Sequence, residues 1–209
     1  MTVNDDALRG VASRAITKVR RPELKGHGVL LTPVRGDDAG ELAAAAASCP
    51  PDAFRWTFVD RDEAGMRATI EGYPATGRHI YVVRVDGRAL GMTGYYDLDF
   101  WTGRAAPDAV EIGHTWYVPE VRGTAVNPAC KLLLLTNAFE TWGVARVALR
   151  TDVRNAASRA AMLKLGLSFE GIRRRHMPGA DGTIRDSAYF SAVADEWPAI
   201  RRGLEARLA

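Results

Sequence analysis

The 209-residue chain has only two cysteines, Cys49 and Cys130. With no CxxC pair and no Cys/His cluster, neither a disulfide framework nor a structural zinc site is expected, and a reducing, cytoplasmic setting fits best. Apolar runs are short. None approaches the ~20 residues of a membrane helix, and the opening "MTVNDDALRG" lacks the apolar core of a signal peptide. The motifs GxxxxGK[ST], GxGxxG after a strand, HExxH and GxSxG are all missing, which removes the usual nucleotide, metalloprotease and hydrolase signals. His27, His79, His114 and His176 have no ligand-like spacing, so no metal is expected.

What remains is an ordinary globular composition, 47% hydrophobic and 25% charged, with a net charge of +3. That charge permits an anionic ligand without demanding nucleic acid. The basic stretches Arg14 to Lys25 and Arg173 to His176 have no interleaved aromatics to stack bases, so a solvated face is preferred over a nucleic-acid site.

Residues 1–25 show no clear period and read as an arm, and 26–209 as one domain. "HGVLLTPV" reads as a strand and "DDAGELAAAAAS" as a helix stopped by Cys49, Pro50 and Pro51. Phe54, Trp56 and Phe58 alternate as a strand would; core packing is preferred over a cleft lining, and a helix follows around Arg61 to Tyr73. Asp86-Gly87 between two β-rich runs predicts a tight hairpin. In "AVEIGHTWYV", alternation sends Val110, Ile112, His114, Trp116 and Val118 one way and Glu111, Gly113, Thr115 and Tyr117 the other.

A helix follows, with Asn127 as cap, Pro128 at its first position, and Leu132, Leu135, Phe139 and Trp142 on one face. "ARVALRTDV" reads as a buried strand, and Asn155 to Gly166 as a capped helix. Two paired strands and an amphipathic tail helix, with Trp197, Ile200, Leu204 and Leu208 on one face, complete the chain. This order implies a single α+β, or mixed α/β, domain. A strand running straight into a helix start is an anion site, because first-turn N–H groups and the helix dipole converge there. "VRGTAVN" can wrap a phosphate, with Gly123 allowing close backbone approach and Arg122 adding charge.

"EIGHTWYVPEVRGTAVNPACKLLLLTNAFE" and "ARVALRTDVRNAASRAAMLKLGLSFEGIRRRH" resemble the GCN5-related N-acetyltransferase (GNAT) superfamily, in its branch of ribosomal-protein N-terminal acetyltransferases. The likeness runs from about His27 to the final helix. It implies a central, mostly antiparallel twisted sheet flanked by helices, and acetyl-CoA as co-substrate without a metal. It also implies a pyrophosphate held by the backbone amides of Val121, Arg122, Gly123, Thr124, Ala125 and Val126, and a pantetheine arm alongside Trp116 to Val118. The loop departs from the family pattern in keeping Arg122 and Gly123 but only Ala125 where a second glycine is usual.

Such an enzyme takes a proton from an ammonium so that the amine attacks directly in a ternary complex, then returns a proton to the thiolate. Glu111 is the candidate base, acting directly or through a water, with Tyr117 sharing its face if no bulge intervenes. The alternative is a carboxylate satisfied by an arginine. The tyrosine that the superfamily often offers as acid is missing near Met162. Ser158 resembles the serine offered to the leaving sulfur and Asn155 a pantetheine contact, although a plain helix cap explains both equally; Tyr189 is a reserve.

The acceptor stays open: a protein N-terminal α-amine, a lysine or a small amine, with no membrane partner, no nucleic acid expected and a homodimer compatible. A CoA-binding sensor or interaction module without catalysis is the alternative, suggested by the altered loop and the missing tyrosine.

Overall fold

A computed structural model describes residues 19–209. Among the described residues eight strands form one sheet in the order β1-β2-β3-β4-β5-β6-β8-β7. They are β1 (Leu24–Gly26), β2 (Val29–Pro33), β3 (His79–Val85), β4 (Arg88–Asp99), β5 (Ala109–Tyr117), β6 (Arg146–Asp152), β7 (Ser168–Pro178) and β8 (Ile184–Val193). Every pairing is antiparallel except β5 with β6. The mostly antiparallel, helix-flanked α+β architecture is as expected. Of the expected arm, residues 1–18 lie outside the described residues, while Leu24 and Lys25 pair with Leu31 and Leu30 in the sheet.

Helices cover both faces. Helices α1 (Ala39–Ala47) and α2 (Glu63–Gly72) bury Leu42, Met66 and Ile70 against Ile80, Val82, Met92, Trp116 and Val118. On the opposite face lie α3 (Val126–Thr136), which runs on into a π-helical turn (Asn137–Trp142), α4 (Ala156–Lys164) and α5 (Trp197–Ala206). There Leu132, Leu135, Phe139 and Trp142 pack with Ile112, Val147, Leu149 and Phe190, as their spacing predicts. The tail helix docks by Trp197 stacking on Phe139, with ring centroids 5.4 Å apart.

Local chemistry explains several boundaries. Asp86 and Gly87 both adopt positive φ, 48° and 79°, so the hairpin between β3 and β4 is the tight turn expected. Helix α3 starts at Val126 with Ala125 at its cap position, and Asn127 instead accepts a hydrogen bond from the Tyr117 hydroxyl at 3.1 Å. The aromatics after Pro51 do not form a strand. Pro51–Phe54 is a 3-10 turn that buries Phe54 against Trp116, while Phe58 is 62% exposed.

The decisive irregularity is in β5. Its register against β4 runs Tyr96↔Glu111, Tyr95↔Ile112 and Gly94↔Gly113, then slips before Met92↔Trp116. His114 takes φ +50° at the slip. This bulge reverses the alternation: Val110 and Ile112 pack with α3, but so does Tyr117, while Trp116 and Val118 join the core under α1 and α2. The expected grouping of His114, Trp116 and Val118 with Val110 and Ile112 is therefore corrected.

Candidate active site

The parallel ladder between β5 and β6 ends at Glu111↔Ala148, although β5 continues to Tyr117 and β6 to Asp152. The two strands part beyond that point. Among the described residues, the remaining half of β5 has no strand neighbour on its β6 side, which leaves backbone polar groups available to a ligand. A cleft of about 680 Å³ occupies this wedge and its mouth, lined by Glu111 at the apex and by Trp116, Arg122, Gly123, Asn155 and Ser158 further out.

Glu111 is 5% exposed, and its carboxylate meets the Arg150 guanidinium at 2.9 Å. Burial opposes its ionisation more strongly than Arg150 favours it, with Asp97 adding repulsion, so its pKa is pushed up to about 7. The arginine partner weighed from sequence is thus present without holding the carboxyl in the usual acidic range. Arg150 also reaches Asp97 at 3.2 Å and the Tyr189 hydroxyl at 3.5 Å, which puts Tyr189 on the Glu111 face of the sheet. Tyr189 also faces His176 Nε2 at 3.3 Å. On the same side Tyr96 lies against the bulge. A Cβ on Gly113 would stand 2.7 Å from its ring, so glycine there lets the ring close over the strand.

Tyr117 does not share that face. The bulge turns it under the sheet, where its hydroxyl binds Asn127 and burial raises its pKa well above the usual phenol range. This corrects its expected place beside Glu111. Beneath the bulge Lys131 is 4% exposed, its Nζ donating to Thr115 Oγ1 at 2.8 Å and Thr93 Oγ1 at 3.1 Å. It has no carboxylate partner among the described residues, and burial pulls its pKa down to about 8. His114 bonds the Tyr73 hydroxyl at 2.8 Å; burial, with Arg78 nearby, lowers its pKa to about 4, so it is neutral at pH 7.

The loop between β5 and α3 commits only some of its amides. Val121 N–H donates to Val118 O, Arg122 N–H to Pro119 O and Val126 N–H to Thr124 Oγ1. The expected run from Val121 to Val126 therefore narrows to Gly123, Thr124 and Ala125, whose amides have no partner among the described residues. Gly123 has φ +75°, a conformation that disfavours other side chains. Arg122 is anchored by Nε to Tyr117 O at 2.9 Å, which holds its charge beside the loop. On α4, Asn155 Oδ1 accepts from Ser158 N–H at 3.0 Å, so the cap is real, while the Ser158 side chain lines the cleft.

Three uncommitted amides at a helix start, an open strand edge and a cleft of this size suit an extended ligand with an anionic end. The family model described as "Acetyltransferase (GNAT) domain" matches residues 29–168. The chain belongs to the GNAT acetyltransferase family. Among relatives of this GNAT protein, YdaF of Bacillus subtilis, whose name proposes a ribosomal N-acetyltransferase, is 33% identical over 112 residues. That match spans 54% of this chain and 57% of YdaF, so the chain matches little over half the length of this curated relative. A GCN5-related N-acetyltransferase structure from Brucella melitensis is 27% identical with a TM-score of 0.81, over 92% of this chain and 87% of that one. RimJ of Mycobacterium smegmatis, solved with CoA-disulfide, shares the fold at 22% identity and a TM-score of 0.74, over 88% and 92% of the two chains. The GNAT family uses acetyl-CoA. Among the described residues no helix is long and apolar enough to cross a membrane, and no group of His, Cys, Asp and Glu is placed to hold a metal.

Arg150, Arg185, Tyr96, Arg78 and Lys131 are cleft residues that sequence reading did not single out. Arg150 carried a signal, a charged residue within an otherwise buried strand, but nothing local fixed its partner. Trp56 and Phe58 line the cleft, the less favoured of the two readings made for them.

Proposed function

We propose that this protein is an acetyl-CoA-dependent N-acetyltransferase in which Glu111 is the general base for a primary amine. The observation that carries the reading is a buried carboxylate of pKa about 7 at the apex of a strand wedge. A base poised near neutral pH is matched to removing a proton from an amine that is to become nucleophilic. Acetyl-CoA supplies a thioester: the amine nitrogen bonds to the carbonyl carbon, the C–S bond breaks, and the sulfur leaves with a proton.

The chain's own groups have separable tasks. Gly123, Thr124 and Ala125 amides, with Arg122, hold the pyrophosphate, and the open edge of β5 near Trp116 and Val118 orients the pantetheine amides. Val121 and Val126 shape the loop, while Asn155 fixes the start of α4 so that Ser158 stands beside the sulfur as proton donor. Glu111 takes the amine proton directly or through a water. Arg150 keeps the carboxylate aimed and ionisable. Because the name of YdaF points to ribosomal protein, a protein α-amine is the first acceptor class to test.

The test is mass spectrometry after incubation with acetyl-CoA and three acceptors: a lysine-free peptide with a free α-amine, an α-blocked peptide with one lysine, and a small-amine pool. An acetylated product that depends on Glu111 is expected. Bound CoA without acetylation of any acceptor would count against the reading.

A further inference from the structure

Arg78 and Arg185 line the cleft without an ion pair among the described residues. Arg78 immediately precedes β3 and Arg185 lies on β8, so in sheet order each is two strands from Glu111, on opposite sides. With strands about 4.8 Å apart, Arg78, level with Glu111 in the register, stands on the order of 10 Å from it. Arg185 lies six residues along β8 from Ser191, the residue in register with Glu111 through Ala148, so its backbone is about 20 Å further along the strands and its long side chain reaches the cleft. Both line the cleft and both are partly buried.

Arg78 lies over the Tyr96 ring at 4.7 Å and has no ion pair among the described residues. Stacking fixes the guanidinium plane while leaving its N–H donors free. Arg185 spends one donor, Nε to Ser187 Oγ at 3.0 Å, and likewise has no ion pair among the described residues. The neighbouring acid, Asp152, is committed to Arg154 at 3.0 and 2.7 Å. Glu111 is bound by Arg150, and Asp60 accepts from Thr69 Oγ1 at 2.6 Å. Burial and repulsion from Arg150 act against the Arg185 charge more strongly than Asp152, Glu111 and Tyr189, none of them in an ion pair with it, favour it. A partly desolvated guanidinium with no carboxylate is costly unless a ligand supplies one.

Resting on the acetyltransferase reading, we infer that the acceptor is a primary amine that carries its own carboxylate, bound to Arg185, Arg78 or both while the amine faces Glu111. Two sources share this chemistry: a free α-amino acid, and a peptide N-terminus with an acidic side chain close behind it. A polycationic amine such as a polyamine is disfavoured by the same two arginines.

The experiment uses matched pairs on the full chain with saturating acetyl-CoA: phenylalanine against phenylalaninamide, and the amidated dipeptides Ala-Glu against Ala-Gln. Turnover by mass spectrometry is accompanied by calorimetric binding of the corresponding N-acetylated products to the CoA-loaded protein, which needs no catalysis. The carboxylate member of at least one pair is expected to win by about tenfold or more in kcat/KM and in product affinity, and the pair that shows it identifies the source. Arg185→Gln or Arg78→Gln should remove most of that preference, read as the carboxylate-to-neutral ratio within each pair. Equal behaviour within both pairs, including no measurable binding of either member, would overturn the inference. Equal turnover within the pairs would leave the transferase reading standing; carboxylate-selective product binding without any turnover would sink the transferase reading and keep the anion site.

Discussion

Replacing Glu111 by Gln separates catalysis from stability in a way that a structural ion pair would not. The carboxyl is raised from 4.5 to about 7, chiefly by burial. At about 1.4 kcal/mol per tenfold change in proton affinity, that gap is worth about 3 kcal/mol. The sign follows from linkage: between pH 4.5 and 7 the folded state binds more protons than the unfolded one, so wild-type stability falls by about that amount as pH rises through the window. Above pH 7 the penalty is constant. Glu111→Gln should flatten this part of the stability profile and unfold no more easily than wild type at pH 8, in urea titrations at several pH values. Its kcat/KM should fall by about 10²–10⁴-fold, as expected for loss of a general base. In wild type kcat/KM should rise with pH through about 7, a limb that stays in place when an α-amine acceptor is exchanged for a lysine with its higher pKa. A variant that kept full kcat/KM and the same pH limb would refute the reasoning.

Other perturbations test separate parts of the site. Lys131 has a folded pKa of about 8, below its ordinary 10.5, so between these values the unfolded state holds more protons and stability should rise with pH by about 3 kcal/mol. Lys131→Met, which leaves Thr93 and Thr115 bonded to each other at 2.8 Å, should therefore be at least as stable as wild type at pH 7, with the difference closing by pH 10.5 in denaturant titrations. Gly123→Ala meets no atom within 4 Å but must hold φ +75°, so it should cost about 1–2 kcal/mol in the loop and weaken CoA binding by calorimetry. Asn155→Ala should lower stability by about 1 kcal/mol through loss of the helix cap, whereas Asn155→Asp should keep it, as read by thermal unfolding.

Much of the fold was legible because its signals are local. Asp86-Gly87 carries its turn type in its own backbone preferences, and the face from Leu132 to Trp142 follows from helical spacing alone. The face of Tyr117 was not legible, because a bulge adds one residue without changing the apparent alternation, and Gly113 beside it was its only local mark. Glu111 precedes the bulge, so simple alternation still gives its face of the strand. Its partner Arg150 depends on the parallel register of β5 and β6, a non-local pairing that no window of sequence contains. The same limit applies to Arg78 and Arg185, which only the sheet order brings to the two sides of Glu111.

The wedge between β5 and β6 as the acyl-transfer site is tested most directly by a crystal structure of the protein with acetyl-CoA. The pyrophosphate is predicted on the amides of Gly123, Thr124 and Ala125, with the thioester in the wedge beyond Glu111 and the Ser158 hydroxyl facing the sulfur. A pyrophosphate bound away from that loop, or a thioester on the far side of the sheet from Glu111, would contradict the account.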